Sequence, residues 1–163
     1  MVMNSSVYHA VPVMIQPQTW ACWYTSFQMV VRYERGRGAG AGLRDPSEVQ
    51  ETRQIYEANE GIGGGPTIAG MHHRERIARS LGFKVLHASL NEEGLWQLLR
   101  RHPVIYAGRW PGQPSGHWVV ITGISADTIT VNNPLSGQQI FNYGAFVSTY
   151  LLQTAQRPLV HVP

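Results

Sequence analysis

Cysteine is almost missing from this sequence: Cys22 is the only one in 163 residues. A single cysteine excludes an internal disulfide, so folding does not call for an oxidising compartment. Charge is sparse as well, with 14% charged against 43% hydrophobic residues, the balance of a globular chain and not of a disordered one. The net charge is only +3, and the basic residues are scattered without a Lys/Arg block, so no nucleic-acid partner is expected. No run approaches the roughly 18 apolar residues of a membrane span. The opening MVMNSSVYHAVPV lacks a charged stretch followed by a long apolar one, so no Sec signal is expected. His72 and His73 have no Cys or further His one turn on, so no metal is expected. The Gly-rich runs at 36–46 and 60–70 lack the Lys-Ser/Thr of a phosphate cradle, and no cofactor is expected.

Glycine and proline are plentiful, at 17 and 10, and signal many turns. The length suits one domain, taken as 1–163. Hydrophobic periodicity predicts helices over 22–35, 48–58, 68–81, 91–101 and 143–152. Gly36 and Gly82 read as C-caps, and Ser47 and Thr67 as N-caps. Strands are predicted over 83–86, 103–107, 117–124, 128–132, 138–141 and 158–162, with a Gly/Pro loop at 108–116. The order gives an α+β fold, a helical half (16–82) followed by an antiparallel sheet half (83–163), with one cleft. No internal repeat is present.

The chemistry concentrates in QPQTWACW, residues 16–23. Cys22 falls at the first turn of a predicted helix, where unpaired N–H groups and the helix dipole favour an anion. A thiol there is expected to have a depressed pKa and to act as a nucleophile. Gln16 could donate a hydrogen bond to a developing oxyanion. Trp23 reads as core or as cleft wall. In the other half, Gly116-His117-Trp118 opens the strongest predicted strand, and the return strand ends at Asn132-Asn133-Pro134. A hairpin sets the start of one strand beside the end of the next. His117 therefore becomes a neighbour of Asn132 or Asn133, one of which can accept the imidazole N–H and fix its tautomer. A lone cysteine is more often a buried, inert residue; the ordered set of Gln, Cys, His and Asn argues for catalysis.

These motifs resemble the papain-like cysteine peptidases, whose signature is Cys-Gly-Ser/Ala-Cys-Trp/Tyr with a Gln six residues before the nucleophile. Ala21-Cys22-Trp23 and the Gln16 spacing match, while Thr19 and Trp20 replace the first Cys and the Gly. The likeness is strongest to compact bacterial forms, the AvrRpt2-type effectors and the C39 bacteriocin-leader peptidases. There, Gly-His-hydrophobic opens a strand and an Asp-Pro turn follows. Asn133 stands where that Asp would be. The resemblance implies a papain-like α+β fold and a peptidase with Cys22 as nucleophile, His117 as base, Asn133 as its orienter and Gln16 in the oxyanion hole. It further implies substrate contacts at Gly64, Gly65, Trp23 and Trp118, with Trp118 shielding the His–Asn bond. Implied partners are a protein or peptide substrate and an inhibitory immunity protein. The implied location is the producer's cytoplasm or a target cell reached through a dedicated secretion system. A deamidase or transglutaminase-like enzyme would use the same triad, and a degenerate binding module would have lost it.

Overall fold

The computed structural model describes residues 6–60, 62, 68–86, 91–150 and 159–163. Its elements, in chain order, are β1 (Val7–Tyr8), α1 (Cys22–Gly36), a 3-10 turn (Pro46–Glu48), α2 (Gln50–Glu57), α3 (Ile68–Ser80), β2 (Lys84–Leu86) and α4 (Glu92–Leu99). There follow β3 (Val104–Trp110), β4 (Gln113–Ile124), β5 (Thr128–Asn133), β6 (Gly137–Asn142), α5 (Tyr143–Tyr150) and β7 (Leu159–His161). This is an α+β fold. Its seven-stranded sheet runs β2-β7-β3-β4-β5-β6, and every pairing is antiparallel. The short β1 lines the end of β4 at Gly123 and Ile124, where β3 has not yet begun.

Helices cover both faces of the sheet, and the central strands read as nearly unbroken apolar runs for that reason. Strand alternation sends Ile105, Ala107, Trp118 and Val120 to one face, where Trp23, Phe27, Val30 and Val31 of α1 and Ile77, Ala78 and Leu81 meet them. Val104, Tyr106, Val119, Ile121 and Val131 turn to the other face, under Leu95 and Leu99 of α4 and Phe146 of α5. The first cluster runs from Val11 to Val162, so the helical and sheet halves share one core. Among the described residues no helix is long and apolar enough to cross a membrane, and no group of His, Cys, Asp or Glu could hold a metal.

Several sequence expectations need correction. The predicted loop at 108–116 is mostly strand: β3 continues to Trp110 and β4 already begins at Gln113. The pairing shifts register between Gly108 and Trp110, and Gly116 takes φ +89° opposite that shift. Such a bulge absorbs extra residues and suits both a glycine with positive φ and a proline without an N–H. His117 thus lies within a long strand and not at its start. Ser47 is not the helix cap: the N-cap of α2 is Val49, without a side-chain bond, and Asp45 caps the preceding 3-10 turn through a capping box with Glu48. The C-cap of α1 is Arg37, not Gly36. Gly82 does take the left-handed φ of +90° after α3, as its reading as a C-cap requires. Thr67, Gly64 and Gly65 lie outside the described residues.

Candidate active site

Cys22 is the first residue of α1, behind the N-cap Ala21. An alanine cannot cap, and the first turn holds no acidic residue, so no side chain engages the free N–H groups of this helix end. They serve the sulfur instead: the backbone N–H groups of Trp118, Trp23 and Cys22 itself stabilise a thiolate. Burial outweighs them, and the thiol pKa is pushed up to about 11. The expected depressed pKa is thereby corrected. The helix end favours an anion, but at 9% exposure the sulfur loses more from desolvation than it gains.

His117 is almost fully buried in β4. Its Nε2–H donates to Asn133 Oδ1 at 2.8 Å. Its Nδ1 has no hydrogen-bond partner among the described residues, and no hydrogen bond joins it to the Cys22 thiol. Burial lowers the His117 pKa, with the Asn133 contact acting the other way, so the ring is held neutral. Across the hairpin, His117 pairs with Gly108, which presents no side chain, and Trp110 packs edge-on at 5.5 Å between ring centroids.

The choice between the two asparagines follows from register. Val120 pairs with Asn132, so Asn132 shares the face of Val120 while Asn133 shares that of Val119 and His117. Asn132 is buried on its own face and donates to Val11 O at 2.9 Å. Asn133 Oδ1 also accepts from Leu135 N–H at 2.9 Å, and its Nδ2 donates to Gln139 Oε1 at 3.0 Å.

Gln16 reaches the same place through its backbone, where its N–H donates to Pro134 O at 2.8 Å. Its side chain turns inward: Nε2 donates to Gln18 O at 2.7 Å and to Thr19 O at 3.3 Å. Both amide hydrogens are therefore committed to the loop before Cys22, and Oε1 is buried without a partner. Trp20 Nε1 in that loop is likewise a buried donor without a partner.

Trp23 and Trp118 are not cleft walls. Both are fully buried in the α1 side of the core. Trp118 lies on the opposite face from His117, as strand alternation requires, and packs 5.5 Å from Phe27. It cannot shield the His117–Asn133 bond, and the indole beside His117 is that of Trp110. The two buried indoles hold Glu60 and Ile62 instead, Trp23 Nε1–H donating to Glu60 O at 3.2 Å and Trp118 Nε1–H to Ile62 O at 2.7 Å. Sequence reasoning missed Trp110 and Gln139. Trp110 falls in a run that reads as a Gly/Pro loop, and nothing in a lone Gln on an edge strand marks it.

Three contacts link the segments that carry the four sequence candidates. The Cys22 sulfur meets the N–H of the residue after His117, His117 meets Asn133, and Gln16 is tied to the residue after Asn133. A thiol at a helix N-terminus and a neutral, oriented imidazole are the two groups that nucleophilic attack on a carbonyl requires. Known folds agree. A C39-like peptidase from Bacillus anthracis superposes with a TM-score of 0.62 at 14% identity, over 98% of each chain. The peptidase domain of Streptococcus ComA, a bifunctional ABC transporter, gives 0.54 at 14% identity, over 94% of this chain and 99% of that one. A double glycine motif protease from an AMS/PCAT transporter, solved with its leader peptide, gives 0.53 at 14% identity, over 98% and 94%. No curated protein sequence matches the chain. The family described as papain-like cysteine protease AvrRpt2 matches residues 5–150, and the chain belongs to that family of cysteine peptidases.

Proposed function

We propose that this protein hydrolyses peptide bonds with Cys22 as nucleophile, His117 as acid and base, and Asn133 as the group that orients His117. The observation that carries the proposal is the His117 Nε2–H···Asn133 Oδ1 bond, with the Cys22 sulfur in reach of the N–H of Trp118, the next residue in the chain. With the proton on Nε2, Nδ1 keeps a lone pair for the thiol proton. Both groups are neutral in the free protein, so the proton passes to Nδ1 as the sulfur attacks the carbonyl carbon. The carbonyl oxygen becomes an oxyanion at the uncapped end of α1, where the Cys22 N–H is a donor. Gln16 adds a second donor once its amide leaves the Gln18 and Thr19 carbonyls. His117 then returns the proton to the leaving amine and the C–N bond breaks. Water, deprotonated by the same nitrogen, hydrolyses the thioester and restores the thiol.

The test is digestion of casein by wild type and by Cys22→Ala, with the new termini mapped by mass spectrometry. Cys22-dependent cleavage is expected. Cleavage that survives Cys22→Ala overturns the nucleophile. A one-dalton gain without cleavage would assign deamidation on the same residues. The neutral thiol and the engaged Gln16 amide favour a second reading, a binding module without turnover, which an intact substrate in every digestion would support. The AvrRpt2 match supports a narrower role as an effector acting on target-cell proteins, with an inhibitory partner in the producer. Comparing protein termini in cells that express wild type or Cys22→Ala tests that role.

A further inference from the structure

We infer that Gln139 is a positioning residue of this site: from edge strand β6 it holds the Asn133 amide with its oxygen toward His117. The inference rests on the peptidase reading above. An asparagine amide fills nearly the same space with O and NH2 exchanged, so shape does not choose between them. The choice matters to the chemistry. If Nδ2 faced His117, Nε2 would have to accept, the ring proton would move to Nδ1, and Nδ1 could no longer take a proton from the thiol.

Two contacts besides His117 make the choice. Leu135 N–H donates to Asn133 Oδ1 at 2.9 Å, and Gln139 Oε1 accepts from Asn133 Nδ2 at 3.0 Å. The first belongs to the backbone and survives any side-chain change. The second depends on one side chain, placed there by register. Asn133 pairs with Gly137 and Val131 with Gln139, so Asn133 and Gln139 are diagonal neighbours on one face of the sheet. Gly137, at φ +96°, puts no side chain opposite Asn133 and leaves the diagonal open. Gln139 is only half-buried on an edge strand, so the fold tolerates its replacement.

Three variants separate the roles. Gln139→Leu removes the acceptor, Gln139→Glu offers only acceptors, and Gln139→Lys offers only donors. Long-range 15N NMR of the His117 ring reads the tautomer without any turnover. The Nε2–H form is expected to dominate in wild type and in Gln139→Glu, and to give way to a mixture in Gln139→Leu and more so in Gln139→Lys. On a fluorogenic peptide drawn from the mapped cleavage sites, Gln139→Leu should lower kcat about tenfold with KM unchanged, and Gln139→Glu should recover it to within about twofold. An unchanged tautomer in Gln139→Leu and Gln139→Lys overturns the inference, whether or not their Tm falls. Absence of Cys22-dependent cleavage in wild type overturns the peptidase reading instead, and leaves the tautomer result standing.

Discussion

His117 donates its Nε2–H to Asn133 at 2.8 Å, while Asn132, one residue earlier, turns away and donates to Val11 O at 2.9 Å. Adjacent residues of one strand face opposite sides of the sheet, so two chemically identical neighbours have unrelated tasks. Asn133→Ala is expected to cut kcat about 100-fold, because the imidazole loses both its orientation and its tautomer. Asn132→Ala should leave kcat within about twofold and lower stability by about 1 kcal/mol, the worth of one buried hydrogen bond. Steady-state kinetics with chemical denaturation on both variants is the measurement. A large loss of kcat in Asn132→Ala alone would exchange the assignments.

The pKa shifts predict how the free protein responds to pH. With the thiol pushed up to about 11, the thiolate fraction at neutral pH is about 100-fold below that of an ordinary cysteine. Iodoacetamide should therefore label Cys22 slowly at pH 7 and ever faster up to about pH 11. A labelling rate already level at pH 6 would reveal a thiolate–imidazolium pair and contradict the neutral site.

Stability should follow from the same groups. The folded thiol holds its proton more tightly than the unfolded one, whose reference value is 9.0. The stability this contributes is full below pH 9 and is lost as pH rises toward about 11. His117 and His9 shift the opposite way, both lowered by burial from 6.5. Their contribution is full above pH 6.5 and declines as pH falls. Denaturation midpoints across pH should show a plateau between about 6.5 and 9. Cys22→Ala should flatten the alkaline slope and leave the acid one.

The catalytic candidates were legible because each sits in a local motif: a helix start with a fixed Gln spacing, and a Gly-His strand followed by an Asn-Asn-Pro turn. The α+β order was legible from periodicity. What stayed hidden depends on the partner across the fold. Helix position argues for an acidic thiol, but desolvation on burial decides its pKa, and no local pattern reports that. The bulge between Gly108 and Trp110 hid β-structure behind glycine and proline and concealed Trp110 beside His117. Trp118 follows the histidine directly, and that very adjacency puts it on the wrong face of the sheet.

Trp118 should matter to the site indirectly, through the segment it holds. Its Nε1–H meets Ile62 O at 2.7 Å in a fully buried setting. Trp118→Phe keeps most of the ring packing and leaves that carbonyl without its donor, a cost of about 1–3 kcal/mol. A rise in KM with kcat little changed is expected, and would place Ile62 at the substrate. A fall in kcat at constant KM would tie Trp118 to the chemistry itself.

Gln16 offers the sharpest contrast between the free protein and the reacting one. Its amide hydrogens are spent on Gln18 O and Thr19 O, and its Oε1 is buried with no partner. Such an arrangement is poorly satisfied and therefore cheap to leave. When an oxyanion forms at the start of α1, turning the amide toward it exchanges bonds to neutral carbonyls for a stronger charge-assisted one. The gain exists only in the transition state, so it appears in kcat and not in KM. Gln16→Ala is expected to lower kcat about 100-fold with KM held within about twofold. Gln16→Glu should do at least as badly, since a carboxylate repels the oxyanion. Both variants keep the backbone N–H bond to Pro134 O, so their Tm should stay close to wild type. Wild-type kcat in Gln16→Ala would mean that the amide never leaves its loop and that the helix N–H groups stabilise the oxyanion alone.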